Sequence, residues 1–276
     1  MGRKIVRRRV IRATREGGWR TREEKLAGEE PLEIRFGHTS YTTSMRTPGD
    51  DFDMVAGFLV GEGVIREAEQ LVSMRYCAGT DEEGNQTFNV IEVQLGAGAT
   101  PPDLGVARNV VTSSACGICG TNSIDEVRKK AGFDLADRSG IIDVNTLLDL
   151  PDTLRESQQL FSSTGGVHAA GLFTTAGELL ILREDVGRHN AVDKVIGAAL
   201  RQGMLPLNDA VLQVSGRASF ELVQKAAMAG IGLLTAVSAP SSLAVDLAEE
   251  TGLTLAAFSR NTSVNIYTHA HRVNEA

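Results

Sequence analysis

Cysteine is scarce in this chain: there are three among 276 residues. An odd, small count in a chain of this length does not make a disulfide framework, so a reducing compartment, the cytoplasm, is the expected setting. Aromatic residues are also few, at 5% with a single tryptophan, and the net charge is −7. Both speak against a nucleic-acid-binding surface, which needs a basic face interleaved with stacking rings. No apolar run approaches the roughly 18 residues of a membrane span. The first residues carry arginines where a secretory signal would carry an apolar core, so neither insertion nor export is expected. There is no internal repeat and no low-complexity tract.

What is present is an ordinary globular composition, 42% hydrophobic and 23% charged, long enough for a sizeable core and for one or two domains. The charge is distributed unevenly. Residues 1–25 hold ten Lys/Arg against three acids, so this arm carries +7 and the rest of the chain −14. Such an arm is either a solvated strand or tail, or a contact for an acidic partner.

The first hundred residues predict a small, mostly β unit. Residues 3–12 alternate as a basic strand, Pro31–Phe36 forms another, and Leu71–Tyr76 and Thr87–Leu95 form two more around an Asp81–Asn85 turn. Thr47-Pro48-Gly49-Asp50-Asp51 is a turn into a helix capped by Asp50 or Asp51, with Phe52, Val55, Ala56, Leu59 and Val60 on its buried stripe. A Gly/Ala/Pro-rich stretch, 96–108, reads as a linker. Beyond it the rhythm changes. A helix over Leu147–Phe161 and a hairpin about Thr175-Ala176-Gly177 lead into helices and apolar strands that alternate to the end: strands at Ala210–Ser215, Ile231–Val237 and Leu253–Phe258, then a short one at Val264–Thr268. Helical crossovers between apolar strands predict a largely parallel sheet covered on both faces.

Between the two halves lies Thr112–Ser123, with Cys116 and Cys119 each followed by glycine. Ser123 and Glu126 form a capping box for a short helix beyond it. Thiols placed just ahead of a helix N-terminus are favoured as thiolates, and glycine leaves a large partner free to approach. The C-x-x-C pair admits three readings. A zinc site would have to be completed by Cys77 or a distant histidine. A thioredoxin-like redox pair belongs at the start of a β-α-β unit rather than between domains. A sulfur-carrying nucleophile needs one exposed thiolate on a mobile arm near an acceptor pocket, and the flanking motifs favour this reading. Cys77 is expected to pack as a small hydrophobe.

The candidate pocket comes from polar loops that follow strands: Arg183–Asn190, Gly216–Ser219, Ser238–Ser242 and Ser259–Ser263. Open α/β sheets bind ligands beyond the carboxyl ends of parallel strands, near helix N-termini. Each loop alone reads equally as caps and solvated ends; four together predict an anionic-ligand pocket, with Arg183, Arg188, Arg217 and Arg260 gathered in it. His189 is either a donor to that ligand or a structural hydrogen-bonder.

These motifs resemble those of the formate dehydrogenase accessory sulfurtransferase family, FdhD/NarQ. The resemblance runs over about residues 34–269. It is carried by Thr47–Asp51 with Ala56–Leu59 and Glu62-Gly63; by the Cys116–Gly120 loop; by Gly165–Ala170; by Arg183–Gly197; by Ser215–Glu221; and by Ser238–Ser241 with Phe258–Arg260. It implies a cytoplasmic sulfurtransferase that accepts sulfur from a cysteine desulfurase as a persulfide. The sulfur would pass to the molybdenum (or tungsten) bis-guanine-dinucleotide cofactor of formate dehydrogenase. Cys116 would be the persulfide carrier and Cys119 the relay or resolving thiol, and the cofactor would lie along Phe258, Ser259, Arg260, Asn261, Thr262 and Ser263. Many members have glycine where Asn261 stands. The resemblance also implies a homodimer and a cytidine-deaminase-like fold for the second half. The deaminase signatures H-x-E and P-C-x-x-C are absent, so deamination is not expected. The expected architecture is therefore a β-rich N-terminal domain with its basic arm (1–108), a cysteine loop (109–123) and a deaminase-like α/β cofactor-binding domain (124–276). Structural zinc is not expected. Competing functions are a cofactor-binding chaperone and a dithiol oxidoreductase.

Overall fold

A computed structural model of the chain describes residues 2–77, 79, 87–102, 111–112, 135 and 142–275. The basic arm is a hairpin. β1 (Ile5–Thr14) and β2 (Gly18–Ala27) pair antiparallel along their whole length. Most of its stem is exposed, with Ile5, Val6, Val10 and Ala27 half-buried, and Trp19 near the tip is 78% exposed. The second strand was not anticipated, because Arg20 through Lys25 has too little apolar alternation to mark one. It forms by pairing with its neighbour.

The first sheet has the order β5-β6-β3-β4-β7, from β3 (Glu30–Phe36), β4 (Thr39–Arg46), β5 (Leu71–Tyr76), β6 (Val90–Leu95) and β7 (Val111–Thr112). Its helix, α1 (Asp51–Gly61), starts at Asp50, which stands in the left-handed region with φ 55° and makes no side-chain cap. Asp51 is engaged elsewhere. It takes both arms of the fully buried Arg46 guanidinium at 3.0 Å each, and accepts from the Tyr76 hydroxyl at 2.9 Å.

β8 (Ile142–Asp143) opens the second half, and Asp143 caps α2 (Val144–Ser157) by accepting from the Asn145 and Thr146 amides. The chain breaks out of helix at Gln158 and re-enters it for α3 (Gln159–Thr164). The second sheet then forms from β9 (His168–Thr174), β10 (Leu179–Asp185), β11 (Ala210–Val214), β12 (Leu233–Ala236), β13 (Thr254–Arg260) and β14 (Ser263–Ile266), with a last short strand β15 (Val273–Asn274) pairing β8. Its helices are α4 (Arg188–Arg201), α5 (Phe220–Met228) and α6 (Ser242–Thr251).

The second sheet corrects one expectation. Its order is β10-β9-β11-β12-β13-β14, and only the β11–β12 and β12–β13 pairings are parallel. The β9–β10 and β13–β14 pairs and the β9–β11 pairing are antiparallel, so the sheet is mixed rather than largely parallel. Parallel pairing needs a crossover. α5 and α6 supply the two that exist, while tight turns at Thr175–Gly177 and Asn261–Thr262 force antiparallel neighbours at the edges.

Both faces of this sheet are covered. Ala169, Phe173, Val211 and Leu233 point to α2, where Leu147, Leu150 and Leu154 meet them. Leu172, Leu212 and Leu234 point the other way into a core that also takes in Leu32, Ile34 and Ile91 of the first sheet. The bridge between the two halves is the crossing of α1 on α4 at Gly57 and Gly197. A Cβ on Gly197 would lie 1.8 Å from the Asp53 carbonyl oxygen, and one on Gly57 1.9 Å from that of Asp193. Among the described residues no helix is long and apolar enough to cross a membrane.

Candidate functional site

The carboxyl ends of β11, β12 and β13 lie together with the start of β9 and the end of β10. Here the chain forms a cavity of about 490 Å³, within the range of small-molecule sites. Its polar wall includes Ser259, Arg260 and Asn261 from the end of β13, Ser215 after β11, and His168 at the start of β9. α2 and the break after it close the other side through Leu154 and Gln158, and apolar contributions come from Phe161, Val167, Val186 and Val237. Arg155 lies over the Phe161 ring, its guanidinium carbon 4.4 Å from the centroid.

The local backbone at β13 explains the wall. Phe258 has φ 52°, a left-handed conformation unusual for a bulky residue, at the point where the β13–β14 register slips between Ala257 and Arg260. The irregularity leaves Phe258 partly exposed and turns Ser259 fully inward. Of the six residues implicated for cofactor binding, Ser259, Arg260 and Asn261 line the cavity, and Asn261 Nδ2 donates to the Asp152 carboxylate. Phe258, Thr262 and Ser263 do not line it. Cys116 and Cys119 lie outside the described residues. Among the described residues no three His, Cys, Asp or Glu side chains stand together as a metal would require.

Two polar atoms in this wall have no hydrogen-bond partner: Gln158 Nε2 and Ser259 Oγ. Both belong to buried residues, at 3% and 0% exposure. A buried amide or hydroxyl left unpaired costs about 1–3 kcal/mol, and both residues belong to the cavity lining.

Beside His168 stands Arg188. A Cβ on Gly216 would touch both His168 Nδ1, at 3.3 Å, and Arg188 Cδ, at 4.0 Å. Arg188 lies below the ordinary guanidinium value, through burial first and then the neighbouring charge of Arg217. Its Nε is buried without a partner. His168 is held below the usual histidine range by burial, then by Arg188 and His189. α4 and α5 both begin here with no side-chain cap on their first amides.

Much of the Arg183–Asn190 run does a different job from the one expected. Of the four arginines expected in the crevice only Arg260 lines it; Arg183, Arg188 and Arg217 do not. The Arg183 guanidinium donates to Asp53 at 2.8 and 3.2 Å, binding β10 to α1. Glu184 caps α3, accepting from the Leu160 and Phe161 amides at 2.8 Å each. Asp185, fully buried, pairs with Lys194 Nζ at 2.7 Å and accepts from the Thr47 and Gly187 amides and from Asn190 Nδ2. Lys194 donates in turn to the Thr47 carbonyl at 2.8 Å. This knot clamps the turn before α1 onto the start of α4. His189 resolves as a structural partner: its Nε2 lies 3.2 Å from Ser219 Oγ and 3.6 Å from Glu221, whose carboxyl is drawn down to about 2, chiefly by that histidine. Cys77 is half-buried at the end of β5, its Sγ 3.8 Å from a Glu92 oxygen.

The model of the FdhD/NarQ family matches residues 27–274. The chain belongs to that family. Among curated relatives it is 57% identical over 272 residues to the "Sulfur carrier protein FdhD" of Nocardia farcinica, covering 99% of this chain and 96% of that one. The protein of the same name from Streptomyces coelicolor is 56% identical, with 99% and 97% covered, and that from Thermoplasma volcanium is 40% identical, with 98% and 96% covered. A crystal structure from Desulfotalea psychrophila, described as a candidate formate dehydrogenase accessory protein, superposes with a TM-score of 0.74 at 28% identity, covering 99% of this chain and all of that one. The β1–β2 hairpin falls almost wholly before the stretch the family model matches, although the curated relatives extend over it.

Gln158 is the residue that sequence reasoning missed. It sat inside a run read as one helix to Phe161, and its only signal was the Gln-Gln pair between Ser157 and Leu160, which breaks the apolar spacing.

Proposed function

We propose that this chain is a cytoplasmic sulfur carrier for formate dehydrogenase maturation. In this reading it takes sulfur from a cysteine desulfurase and hands it to the molybdenum or tungsten bis-guanine-dinucleotide cofactor. The sulfur-carrier part rests on one observation: near-full-length relatives up to 57% identical bear that name. The cofactor, which is substrate here, would lie along the cavity at the strand ends, with Arg260 a principal anchor.

Cys116 is the carrier. Its thiolate attacks the outer sulfur of the donor's persulfide; the donor's S–S bond breaks as the new one forms, and the donor departs as a thiolate. Cys119 is the relay or resolving thiol. As a resolving thiol it attacks the inner sulfur, closes a Cys116–Cys119 disulfide and releases the outer sulfur at the sulfide level for the metal. A cellular dithiol then restores both thiols.

Mass spectrometry after incubation with a cysteine desulfurase and cysteine tests the reading. A single added sulfur should appear on the peptide containing Cys116 and vanish in Cys116→Ala. A label that persists in that variant on Cys119 or Cys77 would overturn the assignment. Calorimetry with GDP, a fragment of the cofactor, tests the second half. Loss of one charged hydrogen bond, worth roughly 1.5–3 kcal/mol, should weaken GDP binding by Arg260→Ala about tenfold or more, while Cys116→Ala binds normally.

A further inference from the structure

The outer half of the β1–β2 hairpin has two unlike faces, and both are exposed. In an antiparallel pair, directly opposite residues share a face. Ala13 stands opposite Trp19 and Ile11 opposite Thr21, so Ile11, Ala13 and Trp19 form one apolar patch near the tip. Ile11 is 62% exposed and Trp19 78%. The other face carries Arg12 directly across from Arg20, with Arg22 beside them across from Val10. All three arginines are exposed. Arg22 pairs with Glu24, whereas Arg12 and Arg20 have no ion pair among the described residues.

This arrangement is costly in the free chain. Like charges directly opposite one another destabilise a strand pair, and a two-stranded hairpin in water is marginal by itself. Tryptophan and arginine are also the residue types that anchor protein interfaces. The root of the arm fixes where a partner would sit. Lys4 Nζ reaches Asp50 at 3.2 Å, the Gly28 amide donates to the Lys4 carbonyl at 2.8 Å, and β2 packs on α3. Ala27 abuts Gly166, where an added Cβ would lie 3.6 Å from the Ala27 Cβ. Phe161, Gly165 and Gly166 in turn line the strand-end cavity. The arm therefore rises from the cavity's wall and, at about 3.4 Å per residue, reaches about 30 Å away from it.

We infer that the hairpin is a docking arm for the protein that receives the cavity's cargo. Arg12 and Arg20 would take carboxylates of that protein, and Ile11 and Trp19 an apolar socket beside them. This rests on the reading above, in which the receiving protein is formate dehydrogenase. Charge complementarity makes the docked surface acidic, since the arm carries +7. Nucleic acid fits less well, because stacking and phosphate contacts are made together and Trp19 faces away from Arg12 and Arg20. A bilayer fits less well because the apolar patch is confined to Ile11, Ala13 and Trp19.

Trp19 is the only tryptophan in the chain, so protein labelled with 5-fluorotryptophan gives one fluorine resonance, and it comes from the arm. Unlabelled formate dehydrogenase lacking its cofactor, titrated in, should shift or broaden that resonance. Raising the salt from about 50 to about 500 mM should weaken the binding about tenfold or more. Arg12→Glu/Arg20→Glu keeps a like pair across the strands, so the arm's own stability is matched, and it should weaken binding about tenfold or more. Ile11→Ser should weaken it about tenfold. Both variants should bind GDP and take sulfur on Cys116 as the wild type does. A resonance unmoved by the dehydrogenase, or variants that bind it as tightly as wild type, would overturn the docking arm. So would a resonance that moves with the protein's own concentration, with RNA or with phosphatidylglycerol vesicles but not with the dehydrogenase. The occupant would then be a second copy, a nucleic acid or a membrane. Where GDP binding and the sulfur label on Cys116 persist in those cases, only the arm falls. A missing sulfur label with the dehydrogenase response intact would instead remove the carrier reading and leave the arm standing.

Discussion

Lys194→Met isolates the part of the family motif that builds the site without touching ligand. Lys194 is 1% exposed, and its ammonium group lies between the Asp185 carboxylate at 2.7 Å and the Thr47 carbonyl at 2.8 Å. Methionine keeps most of the side-chain volume but removes the charge and both hydrogen bonds. The Asp185 carboxylate would remain fully buried, held by the Thr47 and Gly187 amides and Asn190 but with no counter-charge. Breaking a buried pair from one side costs about 3–5 kcal/mol. At roughly 2–4 °C per kcal/mol for a chain of this size, the melting temperature should fall by about 6–20 °C. Scanning calorimetry of the two proteins gives the shift directly. Below the variant's melting range, GDP affinity should match wild type, because neither Lys194 nor Asp185 lines the cavity. A drop of less than about 2 °C would mean that the pair is not held as described. An unchanged melting temperature with lost GDP binding would restore the ligand role that the sequence suggested for this run.

Gly197→Ala should destabilise, although alanine is the better helix former by roughly 1 kcal/mol. The new methyl would meet the Asp53 carbonyl oxygen and the Gly57 nitrogen, an overpacking worth about 1–3 kcal/mol or more, so a denaturation midpoint above wild type would refute the crossing. His189→Gln should lower stability at pH 7. The folded Glu221 carboxyl sits at about 2 against the usual 4.5, so the stabilisation it contributes is complete above 4.5 and is lost as the pH falls toward 2. Melting curves of the two proteins should therefore converge over that window, and a constant gap down to pH 2 would detach Glu221 from His189. His168 is held below its usual value by burial, so the unfolded chain binds a proton first as the pH drops below about 6.5. Wild type should lose stability there, and His168→Gln should lose less.

How much of this was legible in the sequence depended on whether the signal was local. Helices such as α4 and the strands β11, β12 and β13 announce themselves through apolar period and punctuation, because helix and strand faces have to be buried at fixed spacings. The placing of polar loops at strand ends was legible for the same reason. Strand β2 was not, since Arg20–Lys25 pairs with β1 through backbone hydrogen bonds and its side chains remain solvated. The sheet's mixed direction was only half legible. Antiparallel edges follow from short turns, and the turn at Thr175–Gly177 was read, yet crossovers dominated the expectation.

The arginines make the same point about the site. Arg183, Arg188, Arg217 and Arg260 look alike in sequence, each just past an apolar strand, and nothing local separates them. Three dimensions separate them by what each meets. Arg183 meets Asp53, 130 residues earlier in the chain, and becomes a clamp. Arg260 reaches the cavity rim because a positive φ two residues before it bends the strand. Arg188 is half-buried beside His168, where burial and the charge of Arg217 lower its pKa and the charge of Glu221 raises it. A residue with a long-range partner is a structural element whose motif resembles a functional one. A buried side-chain polar atom that no neighbour satisfies is the better guide to a ligand, and Gln158 Nε2 and Ser259 Oγ are of that kind.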